Sequence, residues 1–149
     1  MRIIGPFDGE YEFLSAFARA RVQWEGAEYP TLAHAFQAAK TLNVEEREAI
    51  QRARTPASAK RLGKKVDLRP DWESMKVEIM EALVRQKFQD PTLRDKLIAT
   101  GNEILQEANT WNDQFWGVSG GRGKNHLGKI LMKVRRELQE AGPARSGVL

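Results

Sequence analysis

Tyr29-Pro30-Thr31-Leu32-Ala33-His34-Ala35-Phe36-Gln37-Ala38-Ala39-Lys40 is the stretch around which the rest of the chain can be arranged. Leu32, Ala35, Phe36 and Ala39 recur at i, i+3, i+4 and i+7, the apolar stripe of a helix facing a core. Pro30-Thr31 opens the segment, and the spacing predicts a helix over Thr31–Leu42. A second face carries Ala33, Gln37 and Lys40 across two turns. A lysine lining a cleft at that point has its pKa lowered by burial, which suits a nucleophile or a phosphate clamp; the same spacing also fits an ordinary exposed lysine.

Upstream, short strands and turns are expected. Arg2–Ile4 precedes Gly5-Pro6, and Arg21–Trp24 and Glu28–Tyr29 flank a turn at Gly26 in the manner of a hairpin. Downstream, helices dominate. Thr55-Pro56 reads as an N-cap followed by proline at N1, with Gly63 where a C′ glycine belongs. Asp71 is placed to cap a helix running to about Phe88, and Asp90-Pro91 starts another that Gly101 ends. After glycine-rich Gly117–Gly123, the residues Leu127, Ile130, Leu131, Val134 and Leu138 make an amphipathic stripe. The tail over 142–149 is small and polar and is expected to fray. No repeat or linker interrupts the sequence, so one domain is predicted over residues 1–149 with its core at about 7–140. Its class is α+β, mainly helical, with a small N-terminally biased β-sheet.

With 149 residues, 41% hydrophobic and 30% charged, the chain can bury a core and is not of the disordered class. It has no cysteine, which excludes disulfides and thiolate metal sites, and His34 and His126 lack a metal-binding spacing. Neither a metal nor a cofactor is expected. The N-terminus has no long apolar signal region, and no stretch approaches the roughly 18 apolar residues of a membrane span. The cytoplasm is the expected location, with no membrane partner. The net charge is +4, from 24 basic and 20 acidic residues. Arg52, Arg54, Lys60, Arg61, Lys64 and Lys65 lie in one acid-free stretch; Arg122, Lys124, Lys129, Lys133, Arg135 and Arg136 lie in another. Such stretches can frame a phosphate-bearing ligand or a nucleic acid backbone, or simply be two solvated helix faces.

Two further clusters could carry chemistry. In Gly120-Gly121-Arg122-Gly123-Lys124-Asn125, glycines let backbone amides approach an anion and the following helix adds positive potential. The spacing is neither a P-loop nor a dinucleotide fingerprint, and a plain turn fits equally. The second cluster is Glu107-Ala108-Asn109-Thr110-Trp111-Asn112-Asp113-Gln114-Phe115-Trp116-Gly117. Cleaving an N-glycoside needs an acid to help the base leave and a carboxylate to steady oxocarbenium-like charge, roles open to Glu107 and Asp113. Trp111, Trp116 and distant Trp72 offer stacking faces for a base, although tryptophans also serve as core.

Taken in order, these segments resemble the NADAR superfamily (NAD and ADP-ribose related) of YbiA-like N-glycosidases. The resemblance rests on Phe13-Leu14-Ser15-Ala16-Phe17, Tyr29 to Lys40, Ala59 to Gly63, Leu68-Arg69-Pro70-Asp71-Trp72 with Lys76 and Met80, Trp111 to Gly117, and Gly123 to Met132. It spans Phe7 to Leu138. It implies a mostly helical α+β fold and hydrolysis of N-glycosidic bonds to ribose phosphates. Two substrate classes come with it: ribosylaminopyrimidine phosphates of riboflavin synthesis, and ADP-ribose on guanine of DNA or RNA. It also implies a lysine that forms a Schiff base with the opened sugar, a role open here to Lys40 or Lys76. Substrate contacts are then expected at Ala16, Phe17, His34, Gln37, Gly117, Arg122, Gly123, Lys124 and Asn125 beside the three tryptophans. The chain departs from the pattern where Ala16 replaces the usual Asn and Ala33 the catalytic Glu. Alanine can neither donate a proton nor hydrogen-bond a ribose hydroxyl. The departures imply a disabled or weakened enzyme, or a non-catalytic reader of ADP-ribose or nucleotides; a general nucleic acid binder is the third reading.

Overall fold

The computed structural model describes residues 2–142. In chain order they form β1 (Ile3–Ile4), a 3-10 helix (Gly9–Leu14), β2 (Arg19–Trp24), β3 (Ala27–Thr31), α1 (Leu32–Ala39), α2 (Val44–Gln51), α3 (Pro56–Gly63), α4 (Trp72–Lys87), α5 (Pro91–Ala99), β4 (Ile104–Leu105), β5 (Ala108–Asn109), β6 (Val118–Ser119) and α6 (His126–Ala141). The class is α+β and mainly helical, as expected. The strands make three separate pairs, β1–β4, β2–β3 and β5–β6, so only the hairpin is wholly N-terminal. Strands β4, β5 and β6 have two residues each, too few to show a period of two. The expectation for the tail beyond Gly142 lies outside the described residues. Among the described residues, no helix is long and apolar enough to cross a membrane.

Two compact units emerge, one of Ser15–Lys87 and one of the residues up to Leu14 together with those from Phe88 onward. In Ser15–Lys87 the predicted hairpin forms. Glu25 (φ 45°) and Gly26 (φ 88°) make the two-residue turn, and their positive φ matches the turn to the strands' twist. Val22 pairs with Tyr29, and both are buried at 1% exposure. Thr31 caps α1, its hydroxyl accepting from the His34 amide.

Helix α1 packs against α2, α3 and α4, and all eight of its residues are buried. The expected polar face is therefore covered, and the helix stops at Ala39 with Lys40 as C-cap. Helix α2 was not legible from apolar spacing because Ile50 is its one buried residue. Its signal is chemical: the Asn43 side chain accepts from the Glu46 amide at 2.9 Å as an N-cap. Thr55 and Asp90 cap α3 and α5 as read from the sequence. Gly63 is the last residue of α3 rather than its C′ glycine. A Cβ there would overlap the Gln37 side-chain amide, so close packing of α3 on α1 selects glycine. Asp71 precedes α4, but its carboxylate pairs with Arg69 at 2.7 Å.

In the other unit, β1 runs parallel to β4 with Ile3 opposite Ile104 and Ile4 opposite Leu105. Helix α6 packs on β4 and α5 through Leu127, Ile130, Leu131 and Val134, each buried. Each such side chain contributes about 1.5–3 kcal/mol when taken from water. Arg135 is buried with them and donates to the Thr100 hydroxyl at 2.9 Å; desolvation pushes its pKa down.

Candidate active site

Lys40 is the half-buried end of α1, and its carbonyl accepts from the Arg69 amide at 2.7 Å. Burial pushes its pKa below the ordinary lysine value, and Lys60, Lys64 and Lys76 push it further the same way. Lys60 and Lys64 come from α3 and its C-cap, Lys76 from α4. Four cations thus gather around the end of one helix, an arrangement that favours a neutral amine at Lys40 and an anion among its neighbours. Lys76 is ion-paired with Glu73 at 2.8 Å, which leaves Lys40 the better placed of the two candidate lysines. Replacing Lys60 and Lys64 by glutamine should move Lys40's titration upward, because two cations that oppose its protonation are gone. The pH dependence of Lys40 carbamylation by cyanate, read by mass spectrometry, measures this. An unchanged onset would mean that burial alone sets it. The sign carries over to stability: folding releases a proton from Lys40, so its contribution improves as pH rises from its lowered pKa towards 10.5.

The two positions that depart from the family pattern are neighbours in space. The Ala33 amide donates to the Ala16 carbonyl at 3.0 Å. Ala33 is 5% exposed, and Phe17 beside Ala16 is 44% exposed. One turn beyond Ala33, Gln37 is 8% exposed and its Oε1 is buried without a hydrogen-bond donor. Two expected contact residues belong to the core instead. His34 has both ring nitrogens occupied: Nε2 donates to the Ala53 carbonyl at 3.0 Å, and Nδ1 accepts from the Thr31 hydroxyl at 2.7 Å. Trp72 is 5% exposed with its ring 5.0 Å from that of Phe36, so it is no open stacking face.

The remaining candidates lie in the other unit, where Asn109 organises them. Its Oδ1 accepts from the amides of Asp113 (3.0 Å) and Trp111 (3.3 Å), and its Nδ2 donates to Glu107 Oε2 and to the Asp113 carbonyl, both at 2.9 Å. Asn109 stood within the cluster read from the sequence without a role of its own, because its partners are fixed only by the fold. Asp113 Oδ1 accepts from the amides of Phe115 (3.1 Å) and Trp116 (2.9 Å), so one oxygen of this carboxylate shapes the loop. Trp111 stands 59% exposed. Trp116 is half-buried, edge-on to Phe115, whose ring lies 4.4 Å from that of His126.

The glycine loop differs from expectation. Gly120 (φ 61°) and Gly121 (φ 78°) form the turn that bridges Ser119 and Arg122. The amides of Lys124, Asn125, His126 and Leu127 already donate to the carbonyls of Gln114, Gly117, Phe115 and Trp116. An anion here would meet the exposed side chains of Arg122 and Lys124, with those four amides already used. Asn125, held at φ 54°, accepts from the Glu107 amide and donates to the Leu105 carbonyl, which makes it structural. Gly117 and Gly123 are likewise packing positions, since a Cβ would overlap Glu107 at the first and the Gly117 carbonyl at the second. Among the described residues, no group of three or more His, Asp or Glu could hold a metal ion.

A family profile described as "NADAR domain" matches residues 5–139. The chain belongs to the NADAR family. It is 41% identical over 133 residues to N-glycosidase YbiA of Escherichia coli (strain K12), covering 87% of this chain and 82% of that protein. It is 40% identical over 140 residues to Riboflavin biosynthesis protein VVA0006 of Vibrio vulnificus (strain YJ016). That match takes in 91% of this chain but only 38% of the Vibrio protein, so the chain spans well under half the length of that relative. The NMR structure of E. coli YbiA matches with a TM-score of 0.82 at 37% identity, covering 98% of this NADAR chain and 91% of the other. By this resemblance the chain is classed with the N-glycosyl hydrolases.

Proposed function

We propose that this NADAR chain binds a phosphorylated ribosyl compound at the lysine cluster of Ser15–Lys87, in a site shaped for cleavage of its N-glycosidic bond. One observation carries the reading: Ala33 and Ala16, linked at 3.0 Å, meet on the helix that one turn later presents the donor-less oxygen of Gln37 and ends at Lys40. Lys60 and Lys64 hold the phosphate, and the neutral amine of Lys40 attacks the sugar carbon as the base departs, forming a covalent link that water then hydrolyses to release the sugar phosphate and return the lysine. The departing base needs a proton, and the oxocarbenium-like sugar needs negative charge near it. Alanine at 33 and 16 supplies neither, so turnover by this chain is weak.

Two substrate classes fit. The Vibrio relative's name points to riboflavin biosynthesis, and the family resemblance gives the two classes as a ribosylaminopyrimidine phosphate and ADP-ribose on guanine of nucleic acid. Both are to be offered to this chain and to its Ala33→Glu variant, with released ribose phosphate or ADP-ribose read by mass spectrometry. Release by the variant identifies the substrate. The same pair of alanines also favours a second reading, a module that binds ADP-ribose or nucleotide without cleaving it. Tight binding by both proteins with no product from either would select that reading.

A further inference from the structure

The backbone of Lys40 is held on both sides. Its amide donates to the Gln37 carbonyl at 3.2 Å, and its carbonyl accepts from the Arg69 amide at 2.7 Å. The side chain thus leaves the end of α1 from a fixed stem and is half-buried. Two packing contacts decide what stands around it. Gly63, the last residue of α3, lies so close to the Gln37 side chain that a Cβ would overlap it, which brings Lys60 and the C-cap Lys64 to this end of α1. Trp72 opens α4 with its ring 5.0 Å from that of Phe36, and Lys76 follows one turn later.

The acids closest in the chain to these groups are engaged. Asp71 pairs with Arg69 at 2.7 Å, Glu73 pairs with Lys76 at 2.8 Å, and Glu46 accepts from the Thr41 hydroxyl at 2.5 Å. From Ala49 to Val66, the stretch that contains α3, the chain has no acid. Burial and the surrounding cations favour the uncharged amine at Lys40. A nucleophile and an anion-attracting surround are thus combined at one point. That combination suits a reagent whose electrophilic carbon carries an anionic leaving group, and an acyl phosphate is such a reagent. An acyl donor without phosphate has nothing for Lys60 and Lys64 to hold.

We infer that Lys40 is an acylation site for acyl phosphates, with Lys60 and Lys64 holding the phosphate while the Lys40 amine takes the acyl group. The nitrogen attacks the acyl carbon, the carbon–oxygen bond to phosphate breaks, and the proton lost by nitrogen ends on the departing phosphate. The product is a neutral amide at Lys40, whose nitrogen no longer attacks a sugar carbon, so acylation switches the site off. The inference rests on the phosphate hold proposed above and adds a regulation of the same site. The experiment is incubation of the full chain with acetyl phosphate, with the acetylated fraction at each lysine followed over time by mass spectrometry. Exposed Lys129 and Lys133 on α6 serve as references. Lys40 should be acetylated at least about tenfold faster than either, the scale on which like charges lining a site concentrate an anion. Inorganic phosphate should slow Lys40 and leave Lys129 unchanged, and Lys60→Gln with Lys64→Gln should remove most of the preference. With p-nitrophenyl acetate, which carries the same acyl group without phosphate, the rate at Lys40 should not respond to inorganic phosphate. The phosphate competition uses the unaltered protein, so it decides the matter even where the double variant fails to fold. Acetylation of Lys40 no faster than that of Lys129, or not slowed by phosphate, would overturn the inference. If that result came with release of a ribosyl phosphate by Ala33→Glu, the proposed function would stand without this regulation. Phosphate-sensitive acetylation of Lys40 with no product from any ribosyl substrate would sink the proposed cleavage and leave the acylation site.

Discussion

Glutamate placed at position 33 is expected to raise N-glycoside cleavage at least about a hundredfold over the chain as it stands, the usual contribution of one positioned acid. Position 33 is 5% exposed and lies on the buried helix that ends at Lys40. A carboxyl group there is desolvated, so its pKa rises and it can hold a proton near neutral pH for the leaving base. Crowding is the opposing effect, because a buried alanine becomes a longer side chain and overpacking costs about 1–3 kcal/mol. Ala33→Gln separates the two effects, since it imposes the same volume without an acid. The expected result is product from Ala33→Glu, a further gain when Ala16→Asn is added, and none from Ala33→Gln. Equal rates from the Glu and Gln variants, both folded, would remove the acid from position 33.

Gly117→Ala is expected to cost about 3 kcal/mol of stability, a fall in Tm of roughly 6–12 °C for a chain of this size. The added Cβ would overlap the Glu107 carbonyl and carboxylate and would stand 2.8 Å from Asn109 Nδ2. The carbonyl cannot move aside, because it accepts the Val118 amide at 2.9 Å and belongs to the β5–β6 pair. Gly120→Ala is the comparison. It has open space around its Cβ but φ at 61°, so its cost is the smaller left-handed strain of about 1–2 kcal/mol. Thermal melts of the two variants decide the matter. A Gly117→Ala protein as stable as the parent would mean that the Glu107 loop yields and that the Asn109 network is not rigid.

These two tests fall on different sides of what could be read in advance. The Ala33 position was legible because a family pattern surrounds it. The Gly117 position was legible only as an expected substrate contact, since the atom that forbids a side chain there belongs to a residue ten positions away. His34 shows the same division. Its place on α1 was plain, but its partner Ala53 lies 19 residues on, so its structural role was not. Asn125 looked like a ligand because its side chain is polar, and the structure uses it to shape backbone, as it uses one oxygen of Asp113.

The sequence by itself determined the helix starts at Thr31, Thr55-Pro56 and Asp90-Pro91, the turn at Gly26, the stripe of α6 and the family. Each depends on chemistry within a few residues, such as a side chain accepting an amide two or three positions ahead or apolar groups repeating with the helix turn. Only the tertiary structure decided that α1 is buried on every side and that Lys60, Lys64 and Lys76 surround Lys40. It alone brought Ala16 to Ala33 across 17 positions of chain and spent the amides of residues 124–127 on carbonyls of residues 114–117. Those features follow from which helices pack together and which buried polar groups must find partners, and neither is written in local spacing.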